Sequence, residues 1–107
     1  MSDESEIFHA PPGGWKLRPV HPGETLGEEL QVRGISAHAF ALKLRVPANR
    51  ITEIINGKRG ISAETALRFG RYFGNSAQFW MNLQAGYDLA IAERDFGEKV
   101  MKEVEAA

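Results

Sequence analysis

The sequence predicts an all-α protein in which five helices follow an irregular N-terminal arm. Apolar residues recur at helical spacing in five successive segments, and serine, proline or glycine marks most of the segment ends. No segment shows the strict alternation of a half-buried strand. With 107 residues, 43% hydrophobic and 25% charged, the chain has the size and composition of one small globular domain.

The predicted arm covers residues 1–20 and is expected to be partly disordered. It contains the stretch Pro11–Gly14 and shows no helical periodicity. The stretch Met1–Glu6 has a negative net charge, unlike the start of a signal peptide. No apolar run in the chain is long enough to cross a membrane. We therefore expect a cytoplasmic protein that does not bind a membrane. The absence of cysteine excludes disulfides and thiolate metal sites.

The first helix is predicted to begin at Pro22, because proline is well tolerated in a first helical turn. His21 precedes the proline and is therefore biased toward the extended conformation of a cap residue. Gly34 is predicted to end the helix in the left-handed conformation. Ile35 can then fold back on Leu30, as in a Schellman ending.

A short turn is predicted to join the second helix to the third, as in a helix-turn-helix. Ser36 caps the second helix, which runs to about Leu44, and Arg45–Pro47 forms the turn. Most such turns carry a glycine, so Arg45 predicts some backbone strain. The third helix, of about ten residues and ending before Gly57, is too short to be stable by itself in water.

The third helix combines an apolar stripe with polar faces. Ile51, Ile54 and Ile55 recur at helical spacing and can be buried together. The other side chains then remain free to contact a partner. They are Asn49, Arg50, Thr52, Glu53 and Asn56.

Charge is distributed unevenly, although the net charge is only -1. Between Lys43 and Arg59 there are five cations and one acid, Glu53, whereas acids outnumber cations from Asp88 onward. A basic middle between acidic ends is typical of a DNA-binding protein, because a binding surface depends on where charge lies. An ordinary solvated surface with mixed charges would explain the same pattern.

The fourth and fifth helices carry most of the aromatic residues. Ser62 caps the fourth helix, which ends at Gly74, and Ser76 caps the fifth. Gly97 is expected to weaken the fifth helix within a charged C-terminal segment, residues 94–107. Several side chains of the fifth helix are expected in the core or at a dimer interface: Phe79, Trp80, Leu83 and Tyr87.

These segments resemble the HigA family of antitoxins, within the larger class of Cro/repressor-like helix-turn-helix proteins. The resemblance covers roughly residues 21–89. It implies a Cro/lambda-repressor-like DNA-binding domain over residues 21–93, and a repressor, usually dimeric, of its own toxin–antitoxin operon. The family also neutralises a small ribonuclease toxin of the HigB/RelE type. The stretches that carry the resemblance are His21–Glu24, Val46–Ile51, Ile55–Arg59, Phe79–Gln84 and Tyr87–Leu89.

In a helix-turn-helix protein the second helix of the motif, which is the third predicted helix of this chain, enters the major groove and presents its N-terminal side chains to base edges. An asparagine can pair with adenine and an arginine with guanine, while phosphates are bound by cations, hydroxyls and helix N-termini. The expected base contacts are Ala48, Asn49, Arg50, Thr52 and Glu53. The expected phosphate contacts are Ser36, Lys43, Arg45, Asn56, Lys58 and Arg59.

Simpler roles compete with some of these assignments. Glu53 could pair with Arg50 or Arg59 on the surface, and Asn56-Gly57 is also a common helix ending without a ligand. The histidines are scattered over different elements, so we expect no metal site and no cofactor. We find no catalytic triad, no His-Glu-x-x-His motif and no glycine-rich phosphate loop after a strand, and we expect no enzymatic activity.

The sequence therefore predicts an operator-binding antitoxin whose partners are double-stranded DNA, a second copy of the chain and a small basic ribonuclease toxin. The alternative is a stand-alone helix-turn-helix transcriptional regulator without a toxin. A protein-interaction module that has lost DNA binding is a further alternative, which the cations near the third helix disfavour. The toxin is expected to bind the apolar arm around Phe8 and Trp15, or else the acidic C-terminal segment.

Overall fold

The computed structural model describes residues 18–107, and this part of the chain folds into five α-helices without a strand. This confirms the predicted number and type of elements. The predicted arm lies almost wholly outside the described residues; Arg18–Val20, its described end, is not helical. The helices are α1 (Pro22–Arg33), α2 (Ala37–Leu44), α3 (Ala48–Ile55), α4 (Ala63–Phe73) and α5 (Ala77–Glu103).

The predicted helix caps are confirmed. At the start of α1 the His21 Nδ1 atom accepts a hydrogen bond from the Gly23 amide at 2.9 Å. At its end Gly34 has a φ of 66°, and the Ile35 amide donates to the Leu30 carbonyl at 3.0 Å, which is the Schellman ending. The hydroxyls of Ser36, Ser62 and Ser76 accept from the amides of Ala39, Thr65 and Phe79 at 3.1, 3.3 and 3.0 Å.

Aromatic rings from three helices fill the centre of the core. Phe40 of α2 lies 5.6 Å from Phe69 of α4, and Phe69 lies 5.1 Å from Trp80 of α5, measured between ring centroids. The Trp80 ring is fully buried, and its Nε1 atom donates to the Asn75 Oδ1 atom at 3.0 Å. The other buried apolar side chains are Pro22, Leu26, Leu30, Ala41, Leu44, Ile51, Ile54, Ile61 and Ala66.

Helices α2 and α3 form the predicted helix-turn-helix. Arg45 has a φ of 59°, so a non-glycine residue occupies the left-handed region and the predicted strain is present. The Val46 amide donates to the Ala41 carbonyl at 3.1 Å, which closes the turn. The third helix is slightly shorter than predicted, because Pro47 serves as its extended N-cap residue and eight residues follow.

Helix α5 extends without interruption for 27 residues, so the expected weakening at Gly97 does not occur. An isolated glycine costs only about 1 kcal/mol in a helix interior, which the remaining residues of a 27-residue helix can offset. The C-terminal half of α5 exposes large apolar side chains such as Phe96, Val100 and Met101. Among residues 18–107 no helix is both long enough and apolar enough to span a membrane.

Candidate nucleic-acid interface

The N-terminal half of α3 presents its polar side chains outward, as the sequence predicts. Asn49 and Thr52 are exposed, and Ala48, Arg50 and Glu53 are partly exposed. The predicted apolar stripe faces the core, with Ile51 and Ile54 fully buried and Ile55 partly buried. The Thr52 hydroxyl donates within the helix to the Asn49 carbonyl at 3.2 Å, so its methyl group is the part left to meet an apolar partner.

A cluster of two arginines around Glu64 flanks this helix. The Arg50 Nη1 atom lies 3.4 Å from the Glu64 Oε1 atom, and the Arg68 Nη2 atom lies 2.9 Å from the Glu64 Oε2 atom. Arg68 also donates from Nη1 to the Leu44 carbonyl at 2.9 Å, at the end of α2. This cluster could not be predicted from neighbouring residues, because Glu64 lies in α4, 14 positions after Arg50 of α3.

The arginines favour the ionised form of the Glu64 carboxyl group. The hydrogen bond and the charge of Arg68, followed by the charge of Arg50, lower the pKa of the Glu64 carboxyl group below its ordinary value. Because the pKa is lower in the folded state, the carboxylate stabilises this state at pH values above the ordinary carboxyl pKa. This contribution is lost as the pH falls through the folded-state pKa. At neutral pH Glu64 therefore holds Arg50 by an exposed ion pair that an incoming base or phosphate can replace.

We expect the Arg68→Gln substitution to raise the pKa of Glu64 toward its ordinary value, because it removes the strongest hydrogen bond to the carboxylate. The carboxyl carbon resonance followed by NMR against pH measures this change. Glu24 is the internal control, since its pKa is lowered by Arg18 and not by Arg68. An unchanged Glu64 titration would contradict the described contact.

Glu53 forms an ion pair with Arg59 in the loop that follows α3. The Arg59 Nη2 and Nε atoms lie 2.7 and 2.8 Å from the Glu53 Oε1 atom. The surface pairing considered as an alternative role of Glu53 is thus present. Both side chains are partly solvated, at 37% and 46% exposed, so the pair contributes little stability and can open when a ligand competes.

The predicted phosphate-binding residues lie in separate places along the helix-turn-helix. Ser36 caps α2, whereas Lys43 and Arg45 lie at the other end of that helix, about 12 Å away at 1.5 Å per residue. Lys43, Arg45 and Lys58 are exposed and form no ion pair within the described part of the chain. A third group follows α3 in the loop of residues 56–60, and consists of Asn56, Lys58 and Arg59.

Gln84 of α5 holds the C-terminal end of this loop. Its Oε1 atom accepts from the Ile61 amide at 2.7 Å, and its Nε2 atom donates to the Asp88 Oδ1 atom at 2.9 Å. Gln84 is only 9% exposed, so water competes poorly for these groups. Near the N-terminal side of the loop, the His21 ring packs edge-on against Tyr87 at 4.8 Å. Helix α5 thereby positions the loop that carries Lys58 and Arg59.

The Gln84→Ala substitution is expected to cost about 1 to 3 kcal/mol of stability, because it leaves the buried Ile61 amide without its acceptor. We also expect weaker DNA binding, since the loop loses its fixed position. Urea denaturation and a DNA titration measure the two effects. Gln78→Ala is the matched control, since the exposed Gln78 side chain bonds only Asn82 of its own helix. Equal stability of the two variants would show that Gln84 is not an anchor.

The side chains assigned together to the core or a dimer interface differ in environment. Trp80 is fully buried and belongs to the core. Leu83 and Tyr87 are partly buried, and Phe79 is 42% exposed. Phe79 is therefore the most accessible of the four to a second subunit. Residues 18–107 contain no group of histidine, aspartate and glutamate side chains able to hold a metal ion.

Comparison with known proteins places this geometry among DNA-binding regulators. Residues 28–80 match the family model described as Helix-turn-helix. The "Virulence-associated protein I" of Dichelobacter nodosus is 52% identical over 86 residues, which cover 79% of this chain and 80% of that protein.

Two solved structures are similar over most of their length. The addiction module antidote protein of a HigA family from Coxiella burnetii has 47% identity and a TM-score of 0.83, covering 85% of this chain and all of that one. Pseudomonas aeruginosa antitoxin HigA, solved with the higBA promoter, has 49% identity and a TM-score of 0.80. That match covers 82% of this chain and 97% of the other.

Proposed function

The chain belongs to the HigA family of helix-turn-helix antitoxins, and from that premise we propose that it is the antitoxin of a type II toxin–antitoxin module. It binds operator DNA through α2 and α3, represses its own operon and neutralises a ribonuclease toxin of the HigB/RelE type. The observation that carries the proposal is the exposed polar face of α3 between two exposed groups of cations. A relative of this fold was solved with promoter DNA, which supports the same use of this face.

In the proposed complex α3 lies in the major groove and residues 48–53 face the base edges. Asn49 and Arg50 make the sequence-specific hydrogen bonds, and the Thr52 methyl group contacts a thymine. Glu53 exchanges Arg59 for a cytosine amino group or remains paired at the edge of the contact. Ser36 with the α2 N-terminus, and Lys58 with Arg59, bind phosphates on either side of the groove.

We propose that the protein binds DNA as a homodimer through α5. A two-fold dimer presents two copies of α3 about one DNA turn, roughly 34 Å, apart, which doubles the number of base contacts. The exposed Phe79 and the partly buried Leu83 and Tyr87 support an interface on this helix. Sedimentation analysis with and without DNA tests it, and a monomer under both conditions would refute it.

The DNA-binding part of the proposal is tested by a gel shift with the promoter upstream of the coding sequence. The parent protein is expected to shift this duplex at lower concentration than a scrambled duplex of equal length. The Asn49→Ala/Arg50→Ala double variant should lose the preference and retain weak binding to both duplexes. Equal affinity of the parent protein for both duplexes would refute operator recognition.

The antitoxin part is tested by co-expression with the product of the neighbouring gene. If that product arrests growth by itself, and the arrest is relieved by this chain, the protein is an antitoxin. Operator binding without a neighbouring toxin would favour the stand-alone regulator. Hydrogen exchange with and without the toxin distinguishes the two proposed docking segments, the apolar arm around Phe8 and Trp15 and the acidic C-terminal segment, residues 94–107.

A further inference from the structure

A basic groove lies between the C-terminal end of α2 and the outer face of α4. It encloses about 260 Å³ and opens to solvent. Four of the side chains that line it are cations, two from each side. The groove residues are Lys43, Leu44, Arg45, Arg68, Arg71 and Tyr72.

Most of the positive charge in the groove is not neutralised by the described part of the chain. Arg68 pairs with Glu64, whereas Lys43, Arg45 and Arg71 are exposed and form no ion pair among residues 18–107. Cations that line one concave surface repel each other, and a bound anion relieves this repulsion. The groove therefore favours an anionic ligand.

The walls of the groove are held in place by contacts within the domain. Arg68 is fixed by the Leu44 carbonyl and by Glu64, at 2.9 Å from each. The Tyr72 ring packs edge-on against the buried Phe40 ring, with a centroid distance of 5.1 Å. A ligand in the groove consequently meets a preformed surface, which lowers the entropy cost of binding.

The groove adjoins the N-terminal end of α3. Arg45 lies two residues before Pro47, the N-cap of α3, and Arg68 shares the Glu64 carboxylate with Arg50 of α3. When the α3 N-terminus approaches the base edges, the groove is carried close to the same duplex. The anion most available there is a backbone phosphate.

We infer that this groove binds the DNA sugar–phosphate backbone beside the bases read by α3, so that Arg68, Arg71 and Tyr72 belong to the interface together with Lys43 and Arg45. The inference rests on the proposed function and adds α4 to the DNA-binding surface. Arginine forks match the geometry of phosphate oxygens. The groove does not complement a basic ribonuclease, because like charges oppose such a contact.

The test compares Arg71→Gln and the Lys43→Gln/Arg71→Gln double variant with the parent protein, in titrations of the promoter duplex at several salt concentrations. Each lost phosphate contact should flatten the slope of log K against log salt by about 0.9, which corresponds to about eightfold weaker binding at 0.1 M salt. Lys99→Gln is the matched control, since it removes one exposed cation near the C-terminal end of α5. This control variant should bind the promoter duplex with the affinity and the salt slope of the parent protein.

Two results would overturn the inference while leaving operator binding intact. In one, the parent protein binds its promoter and both groove variants keep its affinity and salt slope. In the other, the groove variants bind DNA normally but lose affinity for the toxin, which would assign the groove to an acidic protein surface. If the parent protein itself fails to bind the promoter, the proposed function fails and the inference fails with it. Circular dichroism of the variants confirms that these surface changes preserve the fold.

Discussion

Replacing Gly23 with alanine is expected to destabilise the protein by about 3 kcal/mol or more, at the upper end of overpacking substitutions. A Cβ atom at this position would overlap the Ile54 carbonyl oxygen and would lie 2.7 Å from the Ile54 carbonyl carbon. Both atoms belong to the backbone of α3, so no side-chain rotation relieves the overlap. Helices α1 and α3 would have to separate. This separation would disturb the packing of the Ile54 side chain, which is fully buried in the core.

Gly27→Ala is the matched control for this prediction, because it makes the same change one helical turn later in α1. Its added Cβ atom would meet only the Ile55 Cγ2 atom, at an ordinary contact distance of 3.6 Å. We expect this variant to gain up to about 1 kcal/mol, since alanine is a better helix former than glycine. Thermal and urea unfolding measure both variants. Similar stabilities would show that α1 and α3 do not approach as closely as described.

The same close approach connects the fold to DNA recognition. Gly23 lets the start of α1 lie directly against the end of α3, and this contact helps to hold the short α3 helix in place. A Gly23→Ala variant that remains folded should therefore bind the promoter less tightly than the Gly27→Ala variant. Comparing the two variants at a temperature at which both remain folded separates the loss of α3 placement from unfolding.

The Arg50→Ala substitution is expected to weaken promoter binding by about 1 to 3 kcal/mol, or roughly 5- to 150-fold. The physical reason is the loss of a bidentate contact to one base, so the preference at a single base pair should weaken as well. Titrations with duplexes that differ at single base pairs measure this effect. Protein stability should change little, because the Arg50–Glu64 contact is long, at 3.4 Å, and its carboxylate is 60% exposed.

Lys58→Ala provides the contrasting control for Arg50→Ala. Lys58 lies in the exposed loop and is assigned to a phosphate, so its loss should weaken binding to all sequences alike and reduce the salt slope by about 1. If neither variant changed affinity at any salt concentration, the assignment of α3 and its loop to DNA would be wrong. If Lys58→Ala altered base preference, the division between base and phosphate contacts would be wrong.

The stretch Phe79–Gln84, which carried much of the family resemblance, serves packing and positioning in this structure. Trp80 fills the core, and Gln84 bonds the Ile61 amide at the end of the loop. Asp88 orients Gln84, and Tyr87 packs on the His21 cap. The resemblance was informative because these side chains connect α5 to the DNA-binding helices. The sequence alone did not reveal what Gln84 bonds, because Ile61 lies 23 positions before it.

The sequence by itself determined the features that depend on neighbouring residues: the five helices, their caps, the backbone strain at Arg45 and the division of α3 into apolar and polar faces. These follow from backbone preferences and from side chains within a few positions of each other. Only the tertiary structure decided the pairing of Arg50 with Glu64, the anchoring of Ile61 by Gln84 and the groove between α2 and α4. The residues in these contacts are 14 to 29 positions apart, so their meeting depends on how whole helices pack around the core.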